Sequence, residues 1–175
     1  MPQIVHAHAA PLLESARRLF AEYAASIARV AACSLEHQGF DAELATLPGL
    51  YAPPTGCMLL AIHSSAPDSH ALYTEPPDHT ILGCIALRPL PKLGPAVCEM
   101  KRMYVRPAAR RLGLGIALGD RLIAEARAAG YKLMKLDTSD TMLPAIALYR
   151  SLGFVECPRY NDDPMTDTVW LDKPL

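Results

Sequence analysis

A loop rich in glycine and arginine carries the clearest chemical signal in the sequence. Residues 110–115, Arg-Arg-Leu-Gly-Leu-Gly, follow a strand-like segment that ends at Arg106-Pro107, and an apolar helical pattern begins at Leu114. Backbone N–H groups that converge at a helix N-terminus bind anions, and glycine lets a phosphate approach them because it has no side chain. The sequence therefore predicts a pyrophosphate site at this loop.

Basic residues are concentrated around this loop. Within eleven positions the chain has five of them, Lys101, Arg102, Arg106, Arg110 and Arg111, although the formal net charge of the whole chain is −1. A chain with so little net charge has no global field that would attract nucleic acid or an anionic membrane. We therefore expect a small polyanion as ligand, and neither nucleic acid nor a membrane as partner.

The loop belongs to a longer pattern that resembles a known family. Arg110-x-x-Gly113-x-Gly115 is similar to the Q/R-x-x-G-x-G/A signature of the GNAT superfamily, the acyl-CoA-dependent N-acyltransferases. The segment Met103-Tyr104-Val105-Arg106-Pro107 resembles that family's fourth strand and its exit, and Ala145-x-x-Leu148-Tyr149-x-x-x-Gly153-Phe154 resembles its closing helix and strand. The resemblance implies an N-acetyltransferase that transfers the acetyl group of acetyl-CoA to a primary amine by direct attack in a ternary complex.

The resemblance also implies where coenzyme A binds. The backbone of the fourth strand is expected to pair with the pantetheine amides as an added strand would. The expected cofactor contacts are Met103, Tyr104, Val105, Arg110, Arg111, Leu112, Gly113, Leu114 and Gly115. Seven residues before Tyr149 the family often has an asparagine that contacts the cofactor, whereas this chain has Met142. One polar contact is therefore missing from the expected set.

Two residues match catalytic positions of the family. Glu99, six residues before Val105, matches a glutamate that often acts as base, and Tyr149 matches a tyrosine that can protonate the departing sulfur. Primary amines have a pKa near ~10.4, so at neutral pH a base must help to remove a proton. An unpaired Glu99 on an interior strand would have a raised pKa. The alternatives are that Glu99 pairs with Lys101 or Arg88, and that Tyr149 merely packs.

The acceptor is less well defined by the sequence. In the family, the first two helices and their connection commonly form one wall of the acceptor site, so Asp41, Glu43 and Tyr51 are candidates by resemblance only. Arg88 at a strand end, and Arg159-Tyr160 in the last long loop, are candidates because a planar guanidinium fork can hold a substrate carboxylate. Surface charges and a packed tyrosine are the plain alternatives. A small amine, an amino acid and a protein amine all remain open as acceptors.

Two other classes of protein compete with an acetyltransferase. The spacing Gly113-x-Gly115-x-x-x-Gly119, with Asp137 some twenty residues on, suggests a nicotinamide dinucleotide site. In that fold the first glycine follows its strand almost at once, whereas seven residues, 106–112, intervene here. A non-catalytic acyl-CoA sensor or interaction module on the same fold is the second alternative. Only the joint presence of Glu99 and Tyr149 argues against it.

Length and patterning indicate one domain, residues 1–175, of the α/β (α+β type) class. The patterns and the resemblance together predict a mixed, mostly antiparallel seven-stranded sheet with about four helices, splayed between strands 4 and 5. Ser139 or Thr141 is expected to cap the last helix, which ends before Gly153. Residues 64–79 have no periodicity and predict a long hairpin connection.

The cysteines and the hydropathy pattern bear on the compartment. Five cysteines without a C-x-x-C pair favour neither a disulfide framework nor a zinc site. The pair His6-x-His8 lacks further clustered ligands, so we expect no metal. The sequence has no signal-peptide pattern and no apolar run of about 18 residues, so a cytoplasmic location is expected. A homodimer is an open alternative to a monomer.

Overall fold

A seven-stranded sheet forms the centre of the molecule. The computed structural model describes residues 2–30, 35, 38–63 and 80–175, and within them the strands are Pro2–His6 (β1), Cys57–His63 (β2), Ile81–Pro89 (β3), Val97–Val105 (β4), Leu133–Ser139 (β5), Val155–Glu156 (β6) and Thr168–Pro174 (β7). The strand order is β1-β2-β3-β4-β5-β7-β6. Neighbouring strands are antiparallel, except for the parallel pair β4–β5.

Four α-helices flank this sheet in the described residues: Leu12–Val30 (α1), Phe40–Thr46 (α2), Leu114–Ala128 (α3) and Leu143–Ser151 (α4). The predicted fold class is confirmed. The predicted cap of α4 is wrong, because Met142 precedes that helix without a side-chain cap, and the Ser139 hydroxyl accepts a hydrogen bond from the Thr141 N–H instead. The predicted connection at 64–79 lies outside the described residues. None of the helices described is both long and apolar enough to span a membrane.

The two faces of the sheet have separate apolar cores. One core contains Leu59, Ile85 and Met100 of the sheet with residues of α3 and α4. The other contains Met58 and Ala86 with residues of α1 and α2. Alternate residues of a strand point to opposite faces, so each central strand contributes to both cores.

The sheet face that packs against α1 and α2 also carries a row of charged side chains. Arg88 of β3 stands opposite Glu99 of β4, which in turn stands opposite Lys135 of β5, so the three side chains share a face. Lys101 and Asp137, two residues further along their strands, continue this row. The apolar core of this face therefore gives way to a polar region where β4 and β5 meet.

The pairing of β4 with β5 ends early. Only three residue pairs join them, Val97 with Leu133, Cys98 with Met134 and Glu99 with Lys135. Beyond these pairs, residues 100–105 of β4 and 136–139 of β5 are not paired with each other. The parallel strands separate at Glu99 and leave a cleft inside the sheet, as the resemblance implied.

A β-bulge lies in β4 immediately after this point. Cys84 pairs with Tyr104 and Ala86 with Lys101, so the single residue between them on β3 faces two residues of β4, Arg102 and Met103. Arg102 has φ 57, in the left-handed region that non-glycine residues rarely adopt. Bulges re-aim side chains next to functional sites, and this one directs the Arg102 side chain towards α2, as its contacts below show.

Candidate active site

The cleft between β4 and β5 has walls from both strands and from α4. Residues 100–103 and 137–139 line its two sides, and Met142 and Tyr149 line the α4 end. Tyr23 of α1 also contributes. Met142 stands where the family often has an asparagine, so this part of the wall offers a thioether in place of an amide. The cleft can accept an extended chain, because the separated strands leave backbone groups without strand partners.

Gly113 lies at the start of α3, at the end of the loop that follows β4. Its φ is 75, and no atom other than its chain neighbours would lie within 4 Å of an added Cβ. Arg111, two residues earlier, also has a positive φ, of 64. Gly113 therefore gives the loop a left-handed turn and leaves open space at the N-terminus of a 15-residue helix, where an anion can bind.

The structure explains the glycine at position 115 by helix packing, whereas the expected explanation was a contact with phosphate. A Cβ on Gly115 would lie 3.1 Å from Cδ2 of Leu148, and a Cβ on Gly119 would lie 2.4 Å from Cδ1 of Leu152. Both glycines therefore allow α3 to pack closely against α4 and the residue after it. The expected contact of Gly115 with a phosphate stays a prediction, but close packing already accounts for the absence of its side chain.

The basic cluster does not act as one group. Lys101 pairs with Asp137 at 3.0 Å, Arg102 pairs with Glu43, and Arg106 pairs with Glu22. By contrast, Arg110 donates only to the carbonyl of Val105, at 3.1 Å, and Arg111 has no ion pair with any described residue. Arg110 and Arg111 are both exposed. These two residues are the cations that remain available to a ligand at the loop.

Glu99 is buried and fully engaged. Its side chain is 1% exposed; Oε2 accepts from Arg88 Nε at 2.6 Å, and Oε1 accepts from the Tyr160 hydroxyl at 2.8 Å. Lys101 Nζ lies 3.6 Å from Oε1. Of the two alternatives that the sequence left open, the structure shows the paired carboxylate, because the strand register places Arg88 directly opposite Glu99. The described lining of the cleft does not include Glu99, and its role as a base stays a prediction.

Asp137 is an acidic residue of the cleft whose position the sequence did not indicate. Burial alone would raise its pKa, but the charge of Lys101 and the hydrogen bonds from Lys101 and Asn161 hold the pKa below its ordinary value. Trp170 Nε1 donates to the Asn161 side-chain oxygen at 2.8 Å and fixes that amide. Asp137 is therefore a poor base and a good anchor for Lys101. The i, i+2 spacing of Lys135 and Asp137 on a predicted strand was the available signal.

Tyr149 belongs to the cleft wall, and its role as donor to the sulfur stays a prediction. It lies on α4, is 8% exposed, and lines the cleft. Its ring packs edge-on against Phe154, with centroids 6.2 Å apart. The hydroxyl has no hydrogen-bond partner in the described part of the chain. Burial raises its pKa above the ordinary value, and the charge of Asp137 adds to this effect, so the hydroxyl stays protonated and can donate.

The four candidates for acceptor binding separate into two groups. Arg88 and Tyr51 line a second cleft, together with residues of α2 and the turn that follows it. Arg159 instead stacks on Trp170 at 5.7 Å and donates to the backbone carbonyls of Asn161 and Asp163, and Tyr160 is hydrogen-bonded to Glu99. The structure therefore brings together Arg88 and Tyr51, and gives Arg159 and Tyr160 partners within the β6–β7 loop and the sheet.

Arg102 joins β4 to the α2 wall between the two clefts. Its Nε and Nη2 donate to both carboxylate oxygens of Glu43, at 2.7 and 2.9 Å, and its Nη1 donates to Gln38 at 3.1 Å. The guanidinium also lies over the rings of Phe40 and Tyr23. Sequence reasoning missed this pairing, because it depends on a bulge that re-aims Arg102. Asp41, by contrast, is exposed.

One cluster of metal-ligand types lies outside both clefts. The donor atoms of His6, Cys57 and Glu125 lie within 4.8 Å of one another. Glu125 already pairs with His6 at 3.2 Å and with Arg121 at 2.7 Å. Burial raises the pKa of the Cys57 thiol to about 12, with the charge of Glu125 as a further cause. These contacts give the carboxylate a structural partner on each side, and we assign the cluster no function.

Comparisons with known proteins identify the family. Residues 40–154 match the acetyltransferase (GNAT) family. An uncharacterised N-acetyltransferase of Schizosaccharomyces pombe is 42% identical over 137 residues, 78% of this chain and 75% of that protein. Among solved structures, a GNAT-family acetyltransferase of Staphylococcus aureus matches with a TM-score of 0.72 at 21% identity, covering 99% of each chain. An acetyltransferase of Bacillus subtilis, solved in complex with CoA, matches with a TM-score of 0.52 at 18% identity over 69% of this chain and 77% of that one.

The chain therefore belongs to the GNAT family of acetyltransferases, and it is an acyltransferase enzyme. Every strand pair except β4–β5 is antiparallel, which argues against the nicotinamide dinucleotide alternative, because that fold is built on a mostly parallel sheet.

Proposed function

We propose that the protein transfers the acetyl group of acetyl-CoA to a primary amine, by direct attack of the amine on the thioester. The observation that carries this proposal is the cleft between β4 and β5. It combines unpaired strand backbone, a protonated Tyr149 hydroxyl without a partner in the described residues, and an anion-binding loop at the end of β4. The family match and the CoA complex of the Bacillus subtilis relative support it.

The residues present fit CoA. In the proposed complex, the backbone of Met103, Tyr104 and Val105 pairs with the pantetheine amides. The N–H groups at 111–115 receive the pyrophosphate at the N-terminus of α3, where the helix dipole favours an anion. Arg110 and Arg111 add charge at this point.

The reaction forms one bond and breaks one bond. The ammonium first loses a proton, and the neutral amine then attacks the thioester carbonyl. The new N–C bond replaces the C–S bond, a proton of the amine passes to the sulfur, and the products are the N-acetyl compound and CoA thiol. Glu99 is our proposed acceptor of the amine proton. A carboxylate has about four acceptor sites, and the contacts above leave one free. Because Glu99 lies beneath the cleft wall, we propose that a water carries the proton to it.

Tyr149 is the proposed donor to the departing sulfur. Burial keeps its hydroxyl protonated, and the hydroxyl has no competing acceptor in the described residues. A thiolate with a conjugate-acid pKa near ~8.5 leaves without much help, so general-acid assistance is worth at most the lower part of the usual ~10²–10⁴-fold range.

The variant Tyr149→Phe tests this function and separates the enzyme from an acyl-CoA sensor. We expect turnover to fall by roughly ten- to a hundred-fold, with CoA affinity and folding almost unchanged, because the ring still packs against Phe154. Free-thiol release from acetyl-CoA with a panel of amines measures turnover, and calorimetric titration measures CoA binding. Tyr131→Phe is the control, since that hydroxyl is bonded to the Thr55 carbonyl and lies outside both clefts.

Three results would contradict the proposal in different ways. No thiol release from wild type with any amine, together with intact CoA binding, would indicate a sensor. Equal turnover of wild type and Tyr149→Phe would remove the catalytic role of Tyr149. A loss of CoA affinity alone would make Tyr149 a binding residue.

A further inference from the structure

The second cleft adjoins the first. It lies between the C-terminal part of α2, the 3₁₀ turn Gly49–Tyr51 and the end of β3 at Arg88. Its volume is about 180 Å³, and a single water needs only about 10–15 Å³. Gln38 lines both clefts. The two clefts therefore meet at Gln38, beside the ion pair of Arg102 with Glu43.

Arg88 supplies this cleft with unused donors. Its Nε is bonded to Glu99, but its two Nη groups have no partner among the residues that the structure describes. The side chain is 25% exposed, and its charge is maintained because Glu99 raises its pKa against the effect of burial. Two Nη groups of one guanidinium form a planar fork that matches a carboxylate.

Tyr51 supplies a second, independent donor. The residue is 1% exposed, and its hydroxyl makes no hydrogen bond of ordinary geometry within the described chain, although Glu43 lies near enough to affect its pKa. Burial, followed by the charge of Glu43, raises the pKa of this hydroxyl, so it stays protonated. Arg88 lines the same cleft as Tyr51, and its charge acts on this pKa in the opposite direction. A buried hydroxyl without a partner costs free energy, and native structures rarely keep one without a reason.

The charged neighbours of these donors do not repel an anion. Glu43 accepts two bonds from Arg102, and Glu99 is paired with Arg88 and lies near Lys101. Each carboxylate near the cleft therefore already has a cation as partner. The Nη groups of Arg88 and the hydroxyl of Tyr51 therefore remain as donors for an anionic ligand.

We infer that the acceptor amine carries a carboxylate, which binds the Nη groups of Arg88 and the hydroxyl of Tyr51. The inference rests on the proposed function and names its substrate class: a free amino acid. Its ammonium loses a proton, the amine nitrogen forms the amide bond as the thioester C–S bond breaks, and CoA thiol and the N-acetyl amino acid are released. The carboxylate takes no part in the chemistry and orients the amine.

The test compares amino acids with their carboxamides. Thiol release from acetyl-CoA is measured with the common α-amino acids and with ω-amino acids of increasing length, each next to its carboxamide. We expect the carboxylate form to be preferred by about 10- to 100-fold in kcat/KM, as is typical when a charged hydrogen-bonded group is removed. The ω-amino acid that reacts fastest shows which separation of amine and carboxylate fits the distance between the two clefts.

Two variants assign the preference to the named residues. Arg88→Lys keeps a cation opposite Glu99 and removes the fork, so the preference for the carboxylate should fall about tenfold or more, mainly through KM. Tyr51→Phe removes a hydroxyl that makes no hydrogen bond of ordinary geometry within the described chain, so it should not lower stability, yet it should also raise KM for the carboxylate form. Arg150→Gln is the matched arginine control and should keep the wild-type preference, because Arg150 is exposed, pairs with Glu156 and lines neither cleft.

The outcomes separate this inference from the proposed function. If carboxamides or plain amines react as well as amino acids, or if no amino acid releases thiol while CoA still binds, the inference is overturned. If Tyr51→Phe folds normally and keeps the full carboxylate preference, Tyr51 has no part in binding and the inference also fails. If the wild-type protein does not bind CoA, the proposed function itself is overturned.

Discussion

Gly113→Ala tests the pyrophosphate site, and the loss of stability that the substitution causes can be anticipated from the backbone conformation. The substitution places a methyl group on a backbone with φ 75, where L-residues are strained by roughly 1–2 kcal/mol. No atom lies within 4 Å of the new methyl, so overpacking adds nothing to this cost. For a protein of this size each kcal/mol lowers Tm by about 2–4 °C. The variant should therefore fold, with a modest loss of stability.

Gly130→Ala is a close control. Gly130 lies just beyond the other end of α3, has φ 89, and likewise has nothing within 4 Å of an added Cβ. The two variants should lose similar stability for the same reason. They should differ in CoA affinity, because only the methyl at Gly113 occupies the space where we place the pyrophosphate.

The expected loss of affinity follows from the bonds at risk. A hydrogen bond to a charged group contributes about 1.5–3 kcal/mol, which corresponds to about 10- to 100-fold in Kd. Thermal unfolding of both variants and calorimetric titration with CoA give the two quantities. Equal CoA affinity in Gly113→Ala and Gly130→Ala would refute the placement of the pyrophosphate at this loop.

Two further predictions concern turnover and packing. Glu99→Gln should lower turnover without changing CoA affinity. The difference in turnover from wild type should shrink as pH rises, because more of the amine is then neutral in solution. Steady-state rates across pH measure this, and a variant with wild-type rates at every pH would show that another group takes the proton. Gly119→Ala should destabilise the fold by about 1–3 kcal/mol, because the new Cβ would lie 2.4 Å from Leu152, whereas Gly115→Ala, at 3.1 Å from Leu148, should cost less. Thermal unfolding compares the two, and equal stability would mean that α4 shifts freely.

The sequence predicted what depends on local pattern. The glycine loop and the helix that begins at Leu114 follow from spacing along the chain, and the position of Tyr149 at the cleft follows from the family resemblance. The sequence left the pairing of Glu99 with Arg88 as an alternative and could not decide it, because the pairing depends on which β3 residue the register places opposite Glu99. The packing role of Gly115 was missed for a similar reason, since α4 is distant in the sequence. The contact of Arg102 with Glu43 depends on a bulge that no local residue preference indicates.

The early separation of β4 and β5 also bears on solubility. Unpaired strand edges are a liability in most proteins, because a second chain can pair with them and start aggregation. Here the free edges face each other inside one sheet, with Tyr149 of α4 and Tyr23 of α1 on the walls of the gap. An extended small molecule can enter where a foreign β-strand with its side chains would meet these walls. Lys101, Arg102 and Asp137 also lie on these strands and line the gap, and charged side chains are one means by which proteins protect a strand edge from pairing with another chain. The protein can therefore keep these strand edges open for binding.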